Sequence, residues 1–142
     1  MLHVGVDLGT TGIKAVLVED LSRVVAVAQQ TIAVSRPSVG WSEQDPDDWV
    51  AAVLACLDRL AAEAPREMAA VRGIGLSGQM LSALILDAAM RPIRPAMLWN
   101  DQRAIAEAAA LLAAVPDIGL RTNGTPDPGL TAPKLMWLAR HE

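Results

Sequence analysis

Two apolar segments near the N-terminus, joined by a glycine-rich turn, constrain the fold of this 142-residue chain more than any other feature. Residues 2–7 and 13–19 are mainly aliphatic, which predicts two β-strands. Their short connection favours antiparallel pairing. A third aliphatic segment, residues 23–34, follows after another short connection. The sequence therefore predicts an antiparallel meander of three strands.

A helix is predicted after the meander. Asp45 can act as its N-cap, Pro46 suits the first helical position, and Asp47 and Asp48 suit the positive end of the helix dipole. Apolar residues then recur on one helical face, at Trp49, Val53, Cys56, Leu57 and Leu60. We expect this face to lie across the meander.

A fourth strand and a hairpin are predicted next. Residues 71–76 are apolar, and the helix before them allows this strand to run parallel to the first. Residues 82–87 and 93–99 predict the hairpin. The predicted fold class is therefore α/β, with a mixed sheet made of the three-strand antiparallel meander plus a parallel fourth strand, and with helices packed on it.

Two more helices complete the predicted elements. Asn100 or Asp101 can cap an alanine-rich helix that ends near Ala114. Residues 116–130 are rich in Pro and Gly and predict a loop, and a last helix begins near Thr131–Pro133. Because the chain stops within that helix without a capping glycine, we expect a domain that is incomplete at its C-terminus.

The turn after the first strand offers groups that bind phosphate. Gly9 and Gly12 allow positive φ angles and close approach of a ligand. Thr10 and Thr11 supply hydroxyls, and successive backbone N–H groups can hold phosphate oxygens. The alternative is an ordinary glycine-rich hairpin turn without a ligand.

Two charged residues flank this turn. Asp7 ends the first strand and offers a carboxylate to a metal ion or to an acceptor hydroxyl, and Lys14 offers a point charge to a phosphate. The alternatives are that Asp7 only stabilises the turn through its neighbouring N–H groups and that Lys14 is a solvated strand residue.

Composition narrows the expected partners. The net charge is -4, the isoelectric point is near 5.1 and no basic block occurs, so we expect neither nucleic acid nor a membrane surface as a partner. No apolar run approaches the ~18 residues of a membrane span, and no signal peptide precedes the first strand. The single cysteine, Cys56, excludes a disulfide framework within the chain. These features predict a cytoplasmic location.

Four further segments, together with the turn, resemble the FGGY family of carbohydrate kinases, a branch of the actin-like ATPase superfamily. The segments occur in the family's order, as Trp41–Pro46 (WSEQDP), Ile74–Met80 (IGLSGQM), Pro95–Asp101 (PAMLWND) and Thr131–Leu135 (TAPKL). The resemblance covers essentially the whole chain and is closest to the xylulokinase branch.

The resemblance implies a fold of two ribonuclease-H-like domains, of which the first binds most of the sugar and the second most of the ATP. Residues 1–142 would be the N-terminal, sugar-side part of the first domain, without the ATP-binding domain and the catalytic aspartate, and therefore inactive alone. The implied reaction is phosphorylation of a ketose or polyol hydroxyl by ATP and Mg²⁺, most directly D-xylulose to D-xylulose 5-phosphate. Asp7 would act near Mg²⁺ and the transferred phosphoryl group.

Gln79, Met80 and Leu81 follow the fourth strand, and ligands of open α/β sheets lie beyond the carboxyl ends of strands. By resemblance these residues contact the sugar. Xylulokinases usually carry Met and His after this glutamine, and Leu81 departs from that pair because leucine forms no hydrogen bond to a hydroxyl. The departure argues against D-xylulose as the substrate, but it does not argue against phosphorylation of a polyol. The alternative is that Met80 and Leu81 are core residues.

The resemblance also implies that the sugar pocket is bordered by Trp99, Asn100 and Asp101. The indole face would pack on sugar C–H groups, and the polar side chains would bind hydroxyls. The alternative is that Trp99 fills the core while Asn100 or Asp101 caps the next helix. Arg103 is expected to be a surface charge, and Trp41 to anchor its loop or to contact substrate.

Two other functions stay open. One is a non-catalytic module that binds sugar or associates with itself, and we expect a dimer because an uncovered sheet edge promotes association. The other is an actin-like or chaperone-type ATPase, against which the segments around Gln79 and Trp99 speak.

Overall fold

The computed structural model describes residues 1–142, which form six strands and five helices. The strands are β1 (Leu2–Leu8), β2 (Gly12–Glu19), β3 (Arg23–Thr31), β4 (Glu43–Gln44), β5 (Val71–Gly78) and β6 (Ala96–Met97). The helices are α1 (Pro46–Glu63), α2 (Pro65–Ala69), α3 (Ile105–Ala114), α4 (Ile118–Thr122) and α5 (Thr131–His141). None of these helices combines the length and the apolarity that crossing a membrane requires.

The chain divides into two compact units. The first consists of Met1–Ala33 and Pro46–Gln79, and the second of Val34–Asp45 and Met80–Glu142. The four-stranded sheet with α1 and α2 lies in the first unit. The short β4–β6 pair with α3, α4 and α5 lies in the second.

The sheet of the first unit has the strand order β3-β2-β1-β5. β2 pairs antiparallel with both β1 and β3, whereas β5 pairs parallel with β1. This topology confirms the predicted meander and the parallel fourth strand. β3 ends at Thr31, earlier than residue 34, and β5 extends to Gly78, beyond residue 76.

Helix α1 covers one face of this sheet. Alternate residues in the central parts of the three meander strands are buried there, in keeping with the strand period of two, at Val4, Val6, Ile13, Ala15, Leu17, Ala26 and Ala28. On the helix, Cys56 and Leu60 are buried in the same core, and Val53 and Leu57 are partly buried against it. Burying a side chain such as Leu60 contributes roughly 1.5–3 kcal/mol. The predicted packing of α1 on the meander is confirmed.

The predicted hairpin of the second unit is only partly present. β6 is two residues long and pairs with β4, while residue pairs 83/97 and 86/92 form isolated bridges. The hairpin prediction was wrong in extent, because Met97 pairs with both Ala83 and Glu43 and the remaining residues of both arms are irregular. The loop predicted for residues 116–130 also contains α4.

Helix α3 begins later than predicted. Its first residue is Ile105, its N-cap position is Ala104, and no side chain caps it. Asn100 and Asp101 therefore do not cap this helix, and that prediction was wrong. Asp101 instead accepts hydrogen bonds from Ser42 and Arg103, which occupy both of its carboxylate oxygens.

Candidate functional site

The turn between β1 and β2 is closed by its own backbone. The Gly9 N–H donates to the Gly12 carbonyl at 3.1 Å. A Cβ added to Gly9 would lie 2.9 Å from the Gly12 carbonyl oxygen, and one added to Gly12 would lie 2.8 Å from the Gln30 carbonyl oxygen. Neither glycine has a positive φ, so that part of the prediction was wrong. Both positions require glycine because backbone approaches them closely.

Asp7 and Lys14 face each other beside this turn. They are direct partners across the β1–β2 ladder, which places both side chains on the same face of the sheet, and both are exposed. The Asp7 carboxylate also lies next to the turn, because its Oδ2 is 3.9 Å from the position of a Cβ on Gly9. Ser77 is the partner of Asp7 on the other side, in β5.

A shallow cavity of 340 Å³ opens on the sheet at these side chains. It is lined by Gly5, Val6, Asp7, Lys14, Val16, Gly75, Leu76 and Ser77. Gly5 and Gly75 leave its floor open, and a Cβ on Gly75 would meet nothing within 4 Å. The carboxylate and the ammonium therefore border a surface that a ligand can reach.

The turn is also linked to the residue that follows β5. The Thr10 hydroxyl donates to Oε1 of Gln79 at 3.4 Å, and the Gln79 N–H donates to the Leu8 carbonyl at 3.1 Å. The structure thus brings Asp7, Thr10 and Gln79 together at the carboxyl ends of β1 and β5, as the sequence predicts for residues at these strand ends.

In the second unit, Met80, Leu81 and Trp99 are exposed. Their exposed fractions are 78%, 45% and 49%. The interpretation of these three side chains as core residues was therefore wrong. Asn100 is half-buried, and its side-chain oxygen Oδ1 is buried without a hydrogen-bond partner. Leu81 has a positive φ of 66°, an uncommon conformation for a residue other than glycine.

Asp101 lies in the interior of the second unit with Arg103. The Arg103 guanidinium donates to both Asp101 oxygens, at 2.9 and 2.7 Å, and to Glu43 at 2.7 Å. Burial opposes ionisation of Asp101, but the bonds from Arg103 and from the Ser42 N–H outweigh it, so the pKa of Asp101 lies below its ordinary value. The prediction of Arg103 as a surface charge was wrong. Asp101 has no exposed oxygen for a sugar hydroxyl, and it holds Arg103 instead.

Aromatic rings cover this buried cation. The Arg103 guanidinium lies 3.6 Å from the ring centre of Trp41 and 5.0 Å from that of Trp137. The two indoles meet edge to face at 5.5 Å. The predicted role of Trp41 as an anchor for its loop is confirmed.

Lys134 is not among the site residues predicted from the sequence. It is completely buried, and its ammonium donates to the carbonyls of Leu81 and Gly129 at 2.8 and 2.6 Å. Burial lowers the pKa of Lys134 to about 8. A signal for it exists in the sequence, because Leu130, Lys134, Trp137 and Leu138 share one face of the last helix and only the lysine is charged.

Asp7 is the one residue for which the sequence predicts a role in metal binding. The chain has no group of three or more His, Cys, Asp or Glu residues able to hold a metal ion. Mg²⁺ commonly binds proteins through one or two carboxylates, with waters and substrate phosphates as its other ligands. The exposed Asp7 carboxylate beside the β1–β2 turn is compatible with that mode of binding, in which the protein supplies few of the ligands.

Comparison with known proteins identifies the family of the chain. The model of the N-terminal domain of the FGGY family of carbohydrate kinases matches residues 2–142. Xylulose kinase of Escherichia coli (strain K12) is 42% identical over 141 residues, which are 99% of this chain and 29% of that protein. The chain therefore spans less than a third of the length of this relative.

Two crystal structures share the fold over essentially the whole chain. A xyloylose kinase from Brucella ovis matches with a TM-score of 0.95 at 47% identity, over 99% of this chain and 30% of that one. A xylulose kinase from Rhodospirillum rubrum matches with a TM-score of 0.95 at 33% identity, over 100% of this chain and 30% of that one. With the family match over residues 2–142, these findings show that the chain belongs to the FGGY family of carbohydrate kinases.

Proposed function

We propose that residues 1–142 form the N-terminal, sugar-side part of the first domain of an ATP-dependent carbohydrate kinase. The proposed reaction transfers a phosphoryl group from ATP to a hydroxyl of a ketose or polyol, most directly from D-xylulose to D-xylulose 5-phosphate. Support comes from the xylulose kinases of Escherichia coli and Rhodospirillum rubrum, which match the chain at 42% and 33% identity. The proposal keeps the cytoplasmic location expected from the sequence.

The exposed Asp7–Lys14 pair beside the closed Gly9–Gly12 turn is the observation that carries this proposal. In phosphoryl transfer the protein mainly positions the reactants and neutralises charge. The Lys14 ammonium supplies a positive charge to phosphate oxygens, and the Thr10 and Thr11 hydroxyls supply hydrogen bonds. Mg²⁺, when bound with ATP, would neutralise phosphate charge, and Asp7 would hold it through water.

Contacts to the sugar are proposed for each unit separately: for Gln79 in the first unit, and for Met80, Leu81, Trp99 and Asn100 in the second. The exposed indole of Trp99 offers an apolar face to sugar C–H groups. The side-chain oxygen of Asn100 is buried, so it would reach a hydroxyl only after rotation of the side chain. Asp101 contributes indirectly, by holding Arg103 in the interior. Leu81 offers only an apolar contact, so a hydroxyl that lies against it must bond elsewhere.

These 142 residues alone are expected to show no kinase turnover, because they correspond to only 29% of the Escherichia coli relative. Their binding functions can be tested directly. In titration calorimetry we expect the chain to bind D-xylulose in preference to glycerol. The heat of D-xylulose binding is expected to disappear in Trp99→Ala. It is expected to persist in Leu120→Ala, a control substitution at an exposed site on α4. Equal responses to both compounds, or ATP- and sugar-dependent turnover by this chain, would contradict the proposal.

A second candidate function is a non-catalytic, self-associating module. It is favoured by β5, which forms the edge of the sheet and exposes Ile74 and Leu76 by 58% and 74%. Sedimentation at several protein concentrations separates the candidates. Concentration-dependent dimers without any sugar binding would favour the module over the kinase segment.

A further inference from the structure

The Lys134 ammonium is buried in an unusual way. Lysine is almost never fully buried unless it is paired, and Lys134 is among the largest completely buried side chains of this chain. Both of its hydrogen bonds go to backbone carbonyls rather than to a carboxylate. Asp101 and Asp127 attract its charge and Arg103 repels it, so these three residues are the charged groups that face it. A buried charge at this position needs a reason beyond packing.

The first acceptor belongs to the Met80–Leu81 turn. The Lys134 ammonium reaches the Leu81 carbonyl from a distant part of the chain, 53 residues away. Leu81 adopts a φ of 66° although it is not glycine, and such backbone conformations persist only where the surroundings hold them. A hydrogen bond from an ammonium to this carbonyl fixes the orientation of the peptide that follows Leu81.

The second acceptor belongs to the turn formed by residues 127–130. The Asp127 carboxylate accepts the Gly129 N–H at 2.8 Å, and the Leu130 N–H donates to the Asp127 carbonyl at 2.9 Å. A Cβ on Gly129 would overlap the carbonyl oxygen of Trp99. This turn therefore lies directly against the backbone of Trp99. The ammonium that binds the Gly129 carbonyl thus also holds the turn that contacts the Trp99 backbone.

We infer that Lys134 is a positioning residue that fastens the Met80–Leu81 turn and the Trp99 segment to helix α5, and so sets the spacing of the two apolar sugar-facing side chains, Leu81 and Trp99. The importance of this spacing for sugar rests on the function proposed above. A lysine suits this task because its stem reaches from the helix and its head offers three donors. Methionine has a similar length and offers none, which leaves the Leu81 and Gly129 carbonyls without this donor.

Hydrogen exchange of backbone amides tests the inference without any ligand. In the 142-residue chain carrying Lys134→Met, exchange at residues 80–83 and 128–131 is expected to rise roughly tenfold, while β1, β2 and β3 keep their protection. The matched control is Arg121→Met, which removes an exposed cation of α4 in the same unit. Unchanged exchange at both turns, or an equal rise in β1–β3, would overturn the local role of Lys134.

A second variant covers the case in which Lys134→Met does not fold. Lys134→Gln removes the buried charge and keeps N–H donors on a stem one atom shorter, so it is expected to loosen the same two turns by a smaller factor. Exchange identical to that of the unmodified chain would again overturn the inference.

Sugar affinity supplies a readout that a purely structural role would not change. Under conditions where both proteins are folded, Lys134→Met is expected to weaken D-xylulose binding roughly tenfold, and Arg121→Met to leave it unchanged. Affinity of the unmodified chain is expected to fall as the pH rises through about 8, where the ammonium loses its charge, and the Lys134→Met profile is expected to be flat. Loosened turns with unchanged affinity would overturn the role in sugar binding. Loosened turns in a chain that never binds sugar would contradict the proposed function and support the positioning role.

Discussion

At the scale of single residues, two buried cations in the second unit are held in opposite ways. Arg103 is matched by the carboxylates of Asp101 and Glu43 and is covered by indole rings. Lys134 donates its hydrogen bonds to backbone carbonyls instead. Removing a partner of a buried ion pair leaves an uncompensated charge, whereas a lysine held by carbonyls can release its proton. The two residues therefore respond differently to substitution and to pH.

Replacing Asp101 tests the buried ion pair. Asp101→Asn removes the charge that compensates Arg103 and is expected to lower the free energy of unfolding by about 3 kcal/mol, measured by urea denaturation. Asp117→Asn is the control, because it breaks an exposed pair with Arg121 and should change stability by roughly 0.5 kcal/mol or less. Equal effects of both substitutions would show that Arg103 does not depend on Asp101.

Leu81 is the residue at which the proposed sugar specificity can be altered. Histidine tolerates the positive φ of this position better than most residues, and it adds a hydrogen-bonding group. Leu81→His is therefore expected to strengthen D-xylulose binding about threefold to tenfold, as measured by calorimetry. Leu120→His, at an exposed site on α4, is expected to have no effect. Weaker binding in Leu81→His would indicate that the apolar side chain itself contacts the sugar.

At the scale of elements, the β1–β2 turn depends on glycine through close backbone contacts. A Cβ on Gly12 would approach the Gln30 carbonyl to 2.8 Å, and backbone cannot move away as a flexible side chain can. Gly12→Ala is expected to lower the free energy of unfolding by roughly 1–3 kcal/mol in thermal or urea denaturation. Gly75→Ala is a matched control, since its Cβ would enter open space and should change stability far less. A harmless Gly12→Ala would contradict the tight closure of the turn.

The same elements show what local sequence can predict. The meander and α1 follow from periodicity and from Pro46 with its acidic neighbours, and these signals lie within the segments that they specify. The start of α3 could not be predicted in this way. Asp101 looks like a helix cap in sequence, but Arg103 and Ser42 occupy its oxygens, and Arg103 reaches Glu43, which is 60 residues away. Tertiary pairing thus overrides the local capping preference.

In the candidate site, too, some features follow from local sequence and others depend on tertiary contacts. The positions of the β1–β2 turn and of Gln79 at strand ends could be predicted from the sequence, and ligand-binding residues collect at such ends. The exposure of Leu81 and Trp99 and the burial of Arg103 depend on contacts between distant segments. The partners of Lys134 are carbonyl groups, which every residue carries, so the sequence does not identify them. Only its charge on an apolar helix face distinguishes Lys134 in the sequence.

At the scale of the whole molecule, Lys134 links stability to pH. Its pKa of about 8 in the folded chain lies below the ordinary value of 10.5, so between these values the unfolded chain binds more protons than the folded one. The free energy of unfolding should therefore rise with pH across this window, by up to roughly 3 kcal/mol. Below pH 8 the full burial penalty applies.

The test is the difference between the unmodified chain and Lys134→Met in urea denaturation from pH 7 to 10. As the pH rises, the free energy of unfolding of the unmodified chain is expected to increase relative to that of Lys134→Met. Burial raises the pKa of Cys56 and lowers stability at high pH, but this effect is common to both proteins and cancels. If this difference stays constant with pH, Lys134 does not lose its proton in the folded chain within this pH range.

Phosphate binding by the β1–β2 turn is central to the proposed function. The most direct measurement is a nuclear magnetic resonance titration of the 142-residue chain with ATP and Mg²⁺, following backbone amides. We predict shifts concentrated in residues 7–14, reduced in Lys14→Met and retained in Arg121→Met. Shifts confined to other parts of the chain, or no shift within residues 7–14 at millimolar nucleotide, would contradict the claim.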